Sequence, residues 1–174
     1  MEAVDDEASV LRMLGNFKCR RDQGIEDFLQ RFAIPFEKSR RSCTYLVVDR
    51  EGTDEEGLNI LGFFSLALTI TRLEPDITKT LRRKLCGMFM DNDVPSYLVG
   101  QLAKNDLFPD GIEGEELLHS ALSMLYDAQD LIGGRFVRVD CLDRPALMQF
   151  YLRRNFRLLR RDDQLGMCQM VRLL

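Results

Sequence analysis

The stretch from Pro109 to Leu118, PDGIEGEELL, places Gly111 and Gly114 three residues apart, directly ahead of an amphipathic helix. Loops that cradle phosphate are built this way. Glycine lets the backbone approach an anion, and a helix start presents N–H groups and about half a unit of positive charge. An ordinary turn into a helix has the same appearance. Glu113, Glu115 and Glu116 sharpen the choice, since each favours a helix N-terminus by roughly 0.3–1 kcal/mol and each opposes a phosphate at the same place.

Few other side chains offer chemistry. His119 is the only histidine, and its helical neighbours Ser123, Asp127 and Asp130 make a polar face, so the spacing predicts an exposed imidazole. The five cysteines, Cys19, Cys43, Cys86, Cys141 and Cys168, contain no C-x-x-C pair. With one histidine they form neither a zinc set nor a nucleophile with its base, which reads as reduced thiols of a cytoplasmic protein. Tyr151 carries a phenol that stays protonated at neutral pH and can donate to a developing anion. One turn from Leu147, it equally suits a buried stripe with its hydroxyl at the rim.

Composition bounds the frame that must hold these groups. The chain has 174 residues, 45% hydrophobic and 30% charged, which suits one globular domain over residues 1–174. Its acidic start, MEAVDDEASV, has no apolar h-region, so no secretory signal is expected. The longest apolar run, Ile60 to Ile70, is too short to span a bilayer and suits a buried strand. A net charge of −4 gives no global attraction to nucleic acid or anionic lipid, although local clusters occur at Arg82-Arg83-Lys84, Arg153-Arg154 and elsewhere.

Periodicity supplies the elements. Ile25, Phe28, Leu29, Phe32, Ala33 and Phe36 make one helical stripe, with Asp22 as cap and Pro35 as the residue that ends or kinks it. CTYLVVD reads as a strand, REGTDEEG as a polar hairpin loop, and LNILGFFSLALTIT as a long strand buried on both faces. A short helix at ITKTLRRKLCGM and a strand past Pro95 follow. The helix from about Glu115 to Gln129 buries Leu118, Ala121, Leu122, Leu125 and Ala128, and Gly133-Gly134 stop it. RFVRVDCL is a strand, RPALMQFYLRRN a helix capped by Asp143, and two strands close the chain near 157–161 and 167–173. Strands that bunch early and then alternate with helices favour an α+β or mixed α/β sheet with helices on both faces.

Several segments, taken in order, resemble the GNAT-type N-acetyltransferases, and most closely the branch that includes acetyltransferase toxins. FKCRRDQGIEDFLQRFA is similar to that branch's opening, SCTYLVVD and ILGFFSLALTI to its early hairpin, and VPSYLVGQLAKND to the central strand that runs against acetyl-CoA. The region from LLHSALSMLYDAQDLIGG through DRPALMQFYLRRNF resembles the helix, strand and helix that end in the family's Phe-Tyr-x-x-x-Gly-Phe. The likeness covers roughly residues 15 to 160. It implies a mixed, mostly antiparallel sheet with splayed central strands, a pantetheine arm in the gap, and a pyrophosphate on the following helix N-terminus.

On that resemblance Leu102, Ala103 and Lys104 would line the acetyl-CoA cleft through their backbone, and Gly111, Ile112, Glu113, Gly114 and Glu115 would form the phosphate loop. Only Gly114 aligns with the family's glycines. Ile112 stands where an earlier glycine is usual and resists positive φ, and Pro109 replaces a basic or amide residue. Tyr151 matches the tyrosine that protonates the leaving thiolate. Asn155 stands for the family's glycine after that helix and tolerates the left-handed conformation. No general base stands out, with Glu113 or Asp106 acting through water left open, which suits an α-amine with a pKa near 8 better than a lysine. The expected activity is direct acetyl transfer from acetyl-CoA to a primary amine. The acceptor is an aminoacylated tRNA in the toxin reading, or a small-molecule or peptide amine. A homodimer or an antitoxin is an expected partner, and no membrane. The alternative is a degenerate GNAT fold without catalysis, serving as a binding or regulatory module.

Overall fold

The stripe read from Ile25 onward is helical, but not as one regular helix. In the computed structural model, which describes residues 7–54, 57–89 and 91–174, Asp22 caps α2 (Gln23–Asp27) by accepting from the Gly24 N–H at 2.9 Å. A π-helical turn (Phe28–Phe32) then precedes α3 (Ala33–Lys38). Pro35 therefore does not end the helix. Its missing N–H and its ring oppose the regular pattern, and the widened turn just ahead, where the Ala33 N–H bonds Phe28 O, absorbs the conflict. The insertion rotates Phe32 off the stripe, leaving it 49% exposed. A further helix, α1 (Glu7–Gly15), precedes these.

The strands β1 (Cys43–Asp54), β2 (Gly57–Arg72), β3 (Asp93–Lys104), β4 (Phe136–Leu142), β5 (Arg157–Asp162) and β6 (Met167–Leu173) form one sheet in the order β1-β2-β3-β4-β6-β5. The hairpin strands run farther than the polar loop at 50–57 suggested, and residues 55–56, where that loop would turn, lie outside the described residues. Pairing is antiparallel for β1/β2, β4/β6 and β5/β6 and parallel for β3/β4. Backbone contacts are antiparallel in sense at both ends of β2, from Asn105 N to Leu61 O and from Leu73 N to Asn92 O.

Contacts divide the chain into a first unit, residues 1–66 with 101–121, and a second, residues 67–100 with 122–174. In the first, α1 to α3 pack over β1 and β2 through Leu14, Phe17, Leu29, Ile60 and Phe63, with Phe17 edge-on to Phe63 at 5.1 Å. In the second, α4 (Lys79–Cys86), capped by Thr78, packs Leu85 on Leu73, Val94 and Phe136. α5 (Gly114–Ile132) buries Leu118, Ala121, Leu122 and Leu125 as its periodicity predicted, with Leu117 beside them, while Ala128 is only half-buried. Gly133 and Gly134 end it at φ of +74° and +122°, values that favour glycine.

Two sequence readings need correction. β2 is not buried on both faces throughout: Leu68 and Ile70 are 68% and 58% exposed, in the stretch beyond Leu66 where β1 no longer flanks the strand. Asp143 does not cap α6 (Pro145–Leu152). The cap position falls on Arg144 without a side-chain bond, and Asp143 lies 3.7 Å from Arg161 instead.

Candidate functional site

In the first unit the segment that leaves β3 is fixed by one buried amide. Asn105 is 1% exposed, and its Oδ1 accepts from the N–H groups of Lys18 and Leu107, both at 3.1 Å. Its Nδ2 donates to Ile60 O at 2.8 Å. Lys18 is placed in turn by Glu26, whose buried carboxylate accepts from the Cys19 N–H at 2.9 Å and from Lys18 Nζ at 3.0 Å. Those two donors hold the Glu26 carboxyl below its usual range, the Cys19 amide most strongly. Asp106, one of the two carboxylates left open as a base, spends Oδ2 on the Arg20 N–H at 2.7 Å.

The loop then folds back on β2. Neither Gly111 nor Gly114 has a positive φ. Gly111 serves close approach, since an added Cβ would lie 2.8 Å from Leu61 Cδ2 and 3.2 Å from Phe108 O. Ile112 is likewise at negative φ, so the β-branched residue that looked out of place fits this backbone. It packs by its Cγ2 where a side chain on Gly62 would otherwise stand, and Ala103 O and Leu117 Cδ2 border the same space. Gly62 thus brings the β3 end, Ile112 and the start of α5 together. An open depression of about 480 Å³ lies over Leu61, Phe108, Asp110 and Gly111.

The start of α5 has a definite cap. Glu116 Oε2 accepts from the Glu113 N–H at 3.0 Å, the reach-back half of a capping box. Leu117 N–H bonds Glu113 O at 3.1 Å and begins the helical ladder. One glutamate is therefore turned toward the helix N-terminus and does not point away from it. Glu113 and Glu115 are exposed, as is His119, in keeping with its polar face.

In the second unit Tyr151 is 5% exposed on α6, edge-on to Phe150 at 5.1 Å and Phe156 at 5.2 Å. Burial, and after it the Cys141 thiol, raise its phenol well above the usual range, so the hydroxyl keeps its proton throughout neutral pH. Asn155 closes the helix at φ 65°, and Tyr151 O accepts from the Arg154 and Phe156 N–H groups. On β4 the guanidinium of Arg138 meets Asp140 Oδ2 at 3.1 Å and reaches Ile70 O and Thr71 Oγ1, both at 3.3 Å. Asn105, Gly62 and Asp140 went unread in the sequence, and Glu116 was read as a helix-start charge but not as the cap it forms. Only Asn105 had a local sign, an Asn ending an apolar strand, where Asx turns start.

The parallel ladder between β3 and β4 covers only Tyr97↔Val137 to Val99↔Val139, while β3 runs on to Lys104 and β4 to Leu142. A mixed sheet with splayed central strands, helices on both faces, and a strand, loop and long helix after the splay is the GNAT-type fold. Solved structures place the chain within it. It superposes on a tyrosine-to-phenylalanine mutant of KacT with a TM-score of 0.69 at 19% identity, covering 90% of this chain and 85% of that one. It superposes on AtaT complexed with acetyl-methionyl-tRNAfMet with a TM-score of 0.69 at 18% identity, covering 90% and 85%. For a tyrosine-to-phenylalanine mutant of the AtaT toxin bound to the C-terminus of the antitoxin AtaR and acetyl-CoA, the values are 0.67, 16%, 92% and 84%. The fold is thus that of KacT and of the AtaT toxin. No protein-family model matches the chain, and no curated protein matches it in sequence.

Among the described residues no cluster of His, Cys, Asp and Glu could hold a metal, and no helix is long and apolar enough to cross a membrane.

Proposed function

We propose that the chain, as one domain over residues 1–174, is an acetyl-CoA-dependent N-acetyltransferase whose acceptor is the α-amine of an aminoacylated tRNA. The observation that carries the reading is Tyr151: a buried phenol, kept protonated by its surroundings, on the helix where the fold's leaving-group acid is expected. The similar KacT and AtaT structures include tyrosine-to-phenylalanine mutants, and AtaT binds acetyl-CoA and acetyl-methionyl-tRNAfMet. Acetyl-CoA would run its pantetheine arm along the backbone of Leu102, Ala103 and Lys104. Its pyrophosphate would meet the loop Gly111–Glu115 and the first turn of α5, where N–H groups suffice.

The charge distribution supports a polyanionic acceptor despite the net charge. Residues 67–100 and 122–174 together hold 14 Lys and Arg against 10 Asp and Glu, and the remainder holds 10 against 18. The stretch 135–161 alone has eight arginines and two acidic residues, and Arg144, Arg153 and Arg157 are exposed. Planar, weakly hydrated guanidinium groups suit phosphate. The five thiols, none in a disulfide, accord with a reducing cytoplasm, and AtaT's complex with AtaR makes an antitoxin a reasonable partner here.

One observation favours the second reading, a non-catalytic GNAT fold: the Glu116 carboxylate stands at the start of α5 where the pyrophosphate would bind. Calorimetric titration of the full chain with acetyl-CoA, beside Gly114→Glu, decides between them. Saturable binding that the variant weakens supports the enzyme, and no binding at high micromolar ligand refutes it. Tyr151→Phe should then cut turnover far more than acetyl-CoA affinity, and unchanged turnover removes Tyr151 from its role.

A further inference from the structure

No base for the acceptor amine stands out in the sequence, which leaves Glu113 or Asp106 acting through water open. We propose that Asp140 receives the proton of the acceptor amine during acetyl transfer, an inference that rests on the acetyltransferase reading above.

Asp140 is the first β4 residue beyond the three-pair ladder that ends at Val99↔Val139, where β3 and β4 cease to pair. Backbone groups freed at such a point can hold a carbonyl, and side chains there face it from either side of the strand. Successive residues of a strand point to opposite faces. Cys141 lies on the α6 side, close enough to Tyr151 to influence its phenol. Asp140 therefore faces the other way, on the same face as Arg138. A thioester carbonyl at the end of the ladder would have the phenol on one side and the carboxylate on the other.

The Asp140 carboxylate is only partly satisfied by its neighbours. Asp140 shares one hydrogen bond with Arg138, through Oδ2, while Oδ1 is buried with no hydrogen-bond donor. Arg138 is itself held by Ile70 O and by Thr71 Oγ1, which lies 2.7 Å from the buried Ser96 hydroxyl. The guanidinium is thus divided among three acceptors and does not saturate the carboxylate. Burial raises the Asp140 carboxyl above its usual range, against the lowering effect of Arg138 and Arg160, which brings it nearer to a working base. The charged groups facing it are Arg138 on its own strand and Arg160 on β5, while Cys141, next along the strand, points to the opposite face.

The step balances. Asp140 takes the proton of the ammonium form and passes it to solvent; the neutral nitrogen then bonds to the acetyl carbonyl carbon and sheds its second proton to solvent. The carbon–sulfur bond breaks, and the departing thiolate takes the Tyr151 proton. Solvent returns both residues to their starting states.

The test is steady-state acetylation of aminoacylated tRNA and of glycinamide by wild type, Asp140→Asn and Asp140→Glu. Calorimetry gives acetyl-CoA affinity, and kcat/KM is followed across pH. Asp140→Asn should bind acetyl-CoA within about threefold of wild type and lose roughly 100-fold or more in turnover at pH 7. The deficit should narrow as pH passes about 8, because the acceptor amine then arrives deprotonated. Asp140→Glu should recover part of the loss. Turnover within threefold of wild type, or a deficit equal at every pH, overturns the proposal. Loss of acetyl-CoA binding by Asp140→Asn also overturns it, assigning the residue to the fold. A wild type that acetylates neither acceptor fails the acetyltransferase reading itself, and the proposal falls with it.

Discussion

Replacing Glu116 by Gln removes a negative charge from the candidate pyrophosphate site while leaving the helix cap in place. The glutamine oxygen can accept from the Glu113 N–H as the carboxylate does at 3.0 Å, since either residue completes this half of a capping box. A pyrophosphate on the first-turn N–H groups would stand about 5 Å from the Glu116 carboxylate. At that distance, in a water-like dielectric suited to an exposed side chain, two unit charges repel by about 0.8 kcal/mol. A second phosphate charge somewhat farther away brings the sum to about 1.4 kcal/mol, and physiological salt roughly halves it. Glu116→Gln should therefore tighten acetyl-CoA binding roughly threefold to tenfold, more at low salt than at high. Loss of the favourable helix-dipole term should lower stability by about 0.3–1 kcal/mol. Isothermal titration at two ionic strengths, beside urea unfolding, reads both quantities. Affinity unchanged or weakened at both salts would refute the reasoning, because the pyrophosphate would then lie away from this helix start.

Gly111→Ala should lower stability by roughly 1–3 kcal/mol in urea unfolding, since the added methyl meets Leu61 Cδ2 at 2.8 Å and Phe108 O at 3.2 Å. An unchanged midpoint would show that the loop yields freely. Arg153→Glu with Arg157→Glu should weaken tRNA binding and flatten its salt dependence while leaving glycinamide acetylation unchanged; gel-shift titration across salt and a steady-state assay check the two halves. Cys43, half-buried, should react first with a thiol reagent, and the buried Cys141, pushed up to about 11 chiefly by burial, should be protected until unfolding. Because the folded thiol holds its proton above its ordinary value of 9.0, the unfolded chain releases that proton first. Cys141 thus contributes stability below pH 9 that is lost as pH rises toward 11, measurable by urea unfolding across that range.

Most of the frame follows from local pattern. The stripe on α5, its two terminating glycines and the Asp22 cap each depend on residues within a turn or two of one another, so periodicity and turn chemistry disclose them. Where two local rules collided, the pattern misled. Pro35 in an otherwise helical stripe read as an end or a kink, and the helix continues through it behind a π turn that leaves Phe32 exposed. Gly111 and Gly114 read as glycines that let the backbone approach an anion, and neither has a positive φ. Gly111 is glycine because β2 passes beneath it, a contact fifty residues distant in sequence.

The sequence by itself therefore determined the elements, their order, and the helix start and phenol on which acetyl transfer would rest. Only the tertiary structure decided which polar groups surround those sites. Asn105 matters because Lys18 and Ile60 come to it, and Asp140 because the β3/β4 ladder ends beside it. The physical reason is common to both. A hydrogen bond, a burial penalty or a vacant ladder position is a property of neighbours, and those neighbours are set by chain reversals that no local spacing records.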